Sequence, residues 1–208
     1  MLQFDYAKAD EGVASTEGYG WLIGPYFAYR HPSQPLVFTG RLLYGRTENE
    51  IAPLGTYRDA FETDRWLAQL GATGRIEAGR WTVFPFLDVT HTRDDQKAYA
   101  DSLGNRIPAQ GFRLTNVELG SDFELQLARE DGRRVLTGGI SGIWSATSGS
   151  GASVMREPAY EGGRIRVELG YGGWLRNGAR FQFSAFGDGI GADGYTGYGL
   201  EGTYSLAF

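Results

Sequence analysis

The sequence predicts an all-β chain: an antiparallel, up-and-down transmembrane β-barrel of about ten strands. Three observations carry that expectation. The chain ends on a strictly alternating strand that stops on an aromatic residue. Its connections alternate long and short. The apolar side of each strand carries no Asp, Glu, Lys or Arg, whereas the other side carries many.

The terminal stretch Gly194–Phe208 reads GYTGYGLEGTYSLAF. Tyr198, Leu200, Gly202, Tyr204, Leu206 and Phe208 share one face, and Gly199, Glu201, Thr203, Ser205 and Ala207 the other. Chain ends of soluble domains are usually wet and loosely held. An aromatic end suits a strand that finishes in the aromatic belt at a bilayer edge.

Earlier in the chain, Leu2, Phe4 and Tyr6 alternate with Gln3, Asp5 and Ala7, and a polar segment, Lys8 to Gly18, follows. The second strand, Gly20 to Arg30, places Trp21, Ile23, Phe27 and Tyr29 together. The prolines of His31-Pro32-Ser33-Gln34-Pro35 then forbid a continuing ladder. Leu36, Phe38, Leu42 and Tyr44 mark the third strand, and a long connection runs from Arg46 to about Thr63. In the fourth, Trp66, Ala68, Leu70, Ala72 and Ile76 oppose Arg65, Gln69, Thr73, Arg75 and Glu77. The short link Ala78-Gly79-Arg80 leads to the fifth, with Val83, Leu87 and Val89 against Thr82, Phe86, Asp88 and Thr90.

After a polar loop from Arg93 to Gln110, the sixth strand sets Val117, Leu119, Phe123, Leu125 and Leu127 against Asn116, Glu118, Asp122, Glu124 and Gln126. Glu130-Asp131-Gly132-Arg133 carries the Asp-Gly hairpin signal. The seventh strand holds Leu136, Ile140 and Trp144, and Ser148 to Gly163 is again long. The eighth sets Ile165, Val167, Leu169 and Tyr171 against Arg164, Arg166 and Glu168. Arg176-Asn177-Gly178 is a second tight turn. The ninth strand carries Phe181 and Phe183 against Arg180, Gln182 and Ser184, and Gly187 to Gly194 connects it to the last.

Alternation alone fits a soluble barrel of opposite polarity. Three features favour the membrane. Trp21, Tyr29, Tyr44, Trp66, Trp144 and Tyr171 fall near strand ends on the apolar face, as interfacial girdles do. That face also admits Gly40, Gly138 and Gly202, lacking the bulk that fills a soluble interior. A Lys or Arg near the midplane of the lipid face costs about 2–4 kcal/mol, so exclusion of charge is expected there. The opposite face mixes Arg41, Arg65, Arg75, Arg164, Arg166 and Arg180 with Asp88, Glu118, Asp122, Glu124, Glu168 and Glu201. These twelve are the expected pore-lining residues, a balanced set suited to bridging a lumen.

Composition closes other routes. Cysteine is absent, which removes thiolate chemistry and cysteine-ligated zinc. A net charge of −5 argues against nucleic acid as a partner. No run of eighteen apolar residues could form a spanning helix. Met1-Leu2-Gln3-Phe4 opens inside a strand pattern without a signal peptide, so an export signal is expected upstream or the protein stays in the cytoplasm. His31 sits in a turn, and His91 is near enough in sequence to Asp94 and Asp95 to pair with one of them. That placement leaves an enzyme with its site on an extracellular rim, similar to the omptin proteases, as the second reading. A soluble small-molecule-binding barrel is the third. Ser150 lies in SGSGAS without a strand-to-helix elbow. The carboxylates at 94, 95 and 101 lack calcium-loop spacing. The glycine run at 187–191 precedes no helix that could cradle phosphate. No catalytic, metal or cofactor site is expected.

Six stretches, in order along the chain, resemble the C-terminal β-barrel translocator domain of autotransporters, the type V secretion proteins of Gram-negative bacteria. They are GWLIGPYFAYR, GRLLYGRTENEI, FETDRWLAQLGATGRI, PFLDVTHTRDDQKAYADSLGNRIPAQ, LTNVELGSDF and AFGDGIGADGYTGYGLEGTYSLAF. The resemblance implies an outer-membrane translocator or anchor for an N-terminal passenger, and no enzymatic activity. It implies three partners: outer-membrane lipid, the barrel assembly machinery and the passenger. Tyr204, Leu206 and Phe208 stand where the family carries its assembly signal. The family barrel has twelve strands. Residues 1–208 are therefore expected to be one N-terminally incomplete barrel domain, with two strands, the pore-threading helix, the passenger and the signal peptide lying ahead of it.

Overall fold

A computed structural model describes residues 1–11, 14–52, 55–127, 134–151, 161–175 and 178–206. Its strands are β1 (Leu2–Glu11), β2 (Ala14–Ile23), β3 (Tyr26–Arg30), β4 (Leu36–Ala52), β5 (Asp59–Gly74), β6 (Ile76–Ala78) and β7 (Trp81–Gln96). They continue as β8 (Tyr99–Ala100), β9 (Arg106–Ile107), β10 (Gln110–Leu127), β11 (Arg134–Ser150), β12 (Gly162–Trp174), β13 (Arg180–Ile190) and β14 (Gly197–Ser205). Twelve of them form one antiparallel sheet in the order β1-β2-β4-β5-β7-β10-β11-β12-β13-β14, with β3 on β4 and β6 on β7. β3 continues β2 past Gly24-Pro25 in the same register along β4, and β6 continues β5 along β7. The sheet thus has ten long staves. Among the described residues, β1 and β14 are its two edges.

The short link at 79–80 is a two-residue turn in which Ala78 faces Trp81 and Gly79 has φ +63°. Positive φ at the first central residue alone marks a II′ turn, whose twist matches the strands it joins. The hairpin signal at 130–133 lies outside the described residues, as do Arg176 and Asn177 of the second turn. Beside the latter, the Gly178 amide donates to Leu175 O at 3.0 Å.

Strand lengths depart from expectation at the other end of the sheet. The long connections at 46–63, 93–110 and 148–163 are largely strand: β4 runs to Ala52 and β5 starts at Asp59, β7 and β10 reach Gln96 and Gln110, and β11 extends to Ser150. Lys8 to Gly18 is likewise strand on both sides of residues 12–13. The ladder needs only backbone hydrogen bonds, whereas alternation needs one face in oil. Where both faces meet water, pairing continues and the sequence pattern disappears.

Side-chain polarity is inverted relative to a soluble fold. Phe183, Leu206 and Val167 are 62, 52 and 37% exposed, while Leu22 and Leu43 are the largest fully buried side chains. Thr47, Thr63, Thr82, Ser141, Ser145 and Asp188 are buried on the other face. The soluble binding-barrel reading requires the reverse arrangement and fails here.

Candidate functional site

On the apolar side the aromatics group at two levels. Near the long-connection end, Trp21 meets Tyr44 edge-on with centroids 6.5 Å apart, and Tyr44 meets Trp66 at 4.7 Å. Because the staves extend beyond expectation, this group sits mid-strand rather than at strand ends. Toward the short turns lie Tyr29 with Phe38, Trp81 with Phe123, and Tyr171 with Phe181. Phe38, Leu70, Leu87, Leu119, Ile140, Val167 and Leu169 are exposed between the two groups. From the row of Tyr44 and Trp66 outward, charge returns on this face: Arg46 bonds Asp64 at 3.0 Å, Lys97 bonds Glu62 at 2.8 Å and Arg93 bonds Asp95 at 2.6 Å. That is the banding of a sheet crossing a bilayer, with interfacial aromatics bounding the hydrocarbon. The three glycines on this face lie under rings. A Cβ on Gly40 would stand 2.3 Å from Phe27, one on Gly138 2.5 Å from Phe123 and one on Gly202 3.2 Å from Phe183.

The polar face holds the expected charged set in separate clusters. Arg65 on β5 grips Asp94 on β7 with two bonds, 2.6 and 3.0 Å. Asp88 accepts from Gln69 at 2.8 Å and from Thr90 at 2.9 Å. The deepest cluster crosses four staves. Asn116 of β10 accepts from the Ser145 hydroxyl of β11 at 2.7 Å, and Arg164 of β12 donates to Ser145 at 2.9 Å and to Asp188 of β13 at 3.0 Å. Arg164 and Asp188 side chains are only 14% and 6% exposed. Arg166 lies 4.0 Å from Asp188, 3.7 Å from Glu168, and stacks over Phe186 at 4.1 Å. Glu118, Asp122, Ser141, Arg166 and Glu168 line a cavity of about 230 Å³.

The rest of the set is looser. Arg75 pairs with Glu77 at 2.7 Å, both well exposed, just past β5. Arg180 stacks over Trp174 at 5.2 Å. Glu124 lies opposite Thr82 and Thr137, and Glu201 is exposed on edge strand β14. Among the described residues, Arg41 Nε is buried without a hydrogen-bond partner. Asp94 and Asp188, the acceptors that hold Arg65 and Arg164, lie in segments expected to be loops. Turn arithmetic locates both: counting outward from Ala78 opposite Trp81 brings Arg65 to Asp94, and from Trp174 opposite Arg180 brings Arg166 to Asp188. A bulge between Ile165 and Arg166 then shifts the register beside Arg164.

His91 does not join the carboxylates. Its Nδ1 lies 2.8 Å from Thr115 Oγ1 on the apolar side, while Asp94 points to the other face and Asp95 bonds Arg93. One residue of offset on a strand changes the face, so proximity in sequence misleads here. Among the described residues no group of His and carboxylates is spaced to hold a metal.

Connection 97–109 folds back onto β5. Buried Asp59 accepts from the Ser102 amide and hydroxyl, both at 2.7 Å, and Tyr99 stacks on Phe61 at 5.4 Å. Within the loop Asp101 accepts from the side chain of Asn105 at 2.9 Å and its amide at 2.7 Å, and from the Leu103 amide at 3.0 Å. The Asn105 side-chain bond leads in holding the Asp101 carboxyl below the usual carboxylate range, with the backbone donors adding to it.

A family model described as the autotransporter beta-domain matches residues 1–188. The chain belongs to the autotransporter β-domain family. The beta domain of the Bordetella autotransporter BrkA aligns with a TM-score of 0.66 at 20% identity, covering 100% of this chain and 81% of that one. That likeness speaks for the fold. No curated protein matches. As an autotransporter β-domain, the chain is the translocator and anchor unit of type V secretion, a class of outer-membrane barrel that works with a passenger domain. Translocator domains of this family are not enzymes.

Proposed function

We propose that residues 1–208 act as one barrel unit in the outer membrane, with the polar face lining the route taken by a passenger. In this reading, Arg41, Arg65, Arg75, Asp88, Glu118, Asp122, Glu124, Arg164, Arg166, Glu168, Arg180 and Glu201 face the channel. The observation that supports it most is the inverted polarity: Phe183 and Leu206 stand exposed while the Arg164–Asp188 pair is buried. Cross-strand pairs such as Arg65–Asp94 brace the wall and narrow the bore without placing an uncompensated charge in it. The apolar face contacts outer-membrane lipid.

Assembly uses the last strand. Tyr204, on the apolar side of β14, and Leu206, one residue past its end, are exposed and available to the barrel assembly machinery; Phe208, the third member of the signal, lies outside the described residues. Two experiments test the reading. A reporter fused ahead of Met1 in an exported chain should become accessible to external protease in intact Gram-negative cells, and should fail to do so when Tyr204 and Leu206 are changed to Asp. In planar bilayers, changing Arg41, Arg65 and Arg164 together to Gln should alter conductance. Identical current–voltage behaviour would remove those side chains from the channel.

A further inference from the structure

We propose that Arg93 and Arg113, on the apolar face in the same cross-strand row as Trp66 and Tyr44 of the upper aromatic group, form a binding site for the phosphates of an outer-leaflet glycolipid of the lipid A type. The inference rests on the outer-membrane reading above. Register places the two residues directly opposite one another, Arg93 on β7 and Arg113 on β10. Directly opposed side chains of an antiparallel pair have Cβ atoms about 5 Å apart, and like charges there repel. Elsewhere on these upper staves cations meet carboxylates: Arg46 has Asp64, Lys97 has Glu62 and Arg58 has Glu50. Here one carboxylate, Asp95, serves Arg93 at 2.6 Å, and Arg113 makes no ion pair among the described residues. The site therefore keeps an excess positive charge, and both arginines are exposed.

Position names the ligand. The same cross-strand row continues from Arg93 to Trp66 and Tyr44 on one side, and from Arg113 to Ser148 on the other. The next row toward the hydrocarbon holds Ala68, His91, Thr115 and Ala146. The arginines thus stand at the headgroup level, on the face that meets acyl chains, at the end bearing the long connections. An anion arriving there is attached to a lipid. Phosphate matches two guanidiniums because each can offer it a pair of N–H donors. It would relieve the repulsion that the bare pair carries, and the Ser148 hydroxyl stands in the same row as a further donor.

The test uses the full chain refolded into phosphatidylcholine vesicles containing bisphosphorylated lipid A, or the same lipid with its phosphates removed. Bound lipid is counted by native mass spectrometry after detergent extraction. Wild type should retain the phosphorylated lipid preferentially. Each of R93Q and R113Q should weaken retention roughly fivefold, and the double variant more than tenfold. R106Q, which removes one exposed positive charge from the loop hairpin, should change nothing. Equal retention by wild type and the double variant, with both showing heat-modifiable mobility, overturns the site while leaving the outer-membrane reading intact. Competition by millimolar inorganic phosphate as effective as by lipid A overturns the lipid assignment. Wild type that fails to insert at all overturns both.

Discussion

Replacing Asp188 by Ala isolates the deepest ion pair on the polar face. Asp188 is 6% exposed and accepts from Arg164 at 3.0 Å, with Arg166 at 4.0 Å and the Tyr195 hydroxyl at 3.4 Å. Its loss leaves the Arg164 guanidinium, 14% exposed, still bonded to Ser145 and with the Tyr195 ring 5.1 Å away. Breaking one side of a buried pair costs about 3–5 kcal/mol because the remaining charge stays desolvated. The lower end applies here, since Arg164 keeps its bond to Ser145 and its place over the Tyr195 ring. About 3 kcal/mol is roughly a hundredfold in the folding equilibrium. Urea titration of the protein refolded in vesicles, followed by tryptophan fluorescence, measures it. The exposed Arg75–Glu77 pair is the internal control: E77A should cost under about 1 kcal/mol. If D188A costs no more than E77A, Arg164 is solvated, and the argument that the polar face holds braced, buried charge is wrong.

Other consequences are nearer the surface. Gly138→Val puts a side chain where a Cβ alone would stand 2.5 Å from Phe123 and 2.9 Å from the Glu168 carbonyl, so it should destabilise by about 1–3 kcal/mol in the same titration. Asp59→Ala removes the carboxylate oxygen that accepts from both the Ser102 amide and hydroxyl and should release connection 97–109, seen as trypsin cleavage at Arg106 at least tenfold faster in folded protein. The Asp101 carboxyl is held below its ordinary value, so the order it gives the loop is complete above the usual carboxylate range and is lost as pH falls through the lowered value. Amide exchange at Asn105 should accelerate in that acid window, and D101N should be fast at every pH without that transition.

Much of the fold was legible because hydrocarbon imposes a pattern. Within the bilayer a stave must alternate, so Leu36 to Tyr44, Trp66 to Ile76 and Ile165 to Tyr171 announce both their strands and their faces. Beyond the belt Arg46, Glu48 and Glu50 share the apolar-side parity of Tyr44, and pattern reading loses β4 there although its ladder continues to Ala52. Partner identity was the harder part. Arg65 and Arg164 could be assigned to the polar face by parity. Their acceptors, Asp94 and Asp188, become visible only when register is counted from the turns. His91 shows the converse: three residues from Asp94 along the chain, it faces the other way.

The sequence alone determined that this chain is a single antiparallel meander with one oily and one charged side, because alternation and turn residues are local properties. Tertiary structure decided which charges neutralise one another, how far the staves rise past the belt, and that connection 97–109 is tied down at Asp59. Those depend on register between strands and on a bulge beside Arg164, and cross-strand geometry is set by pairing rather than by any one segment's residues.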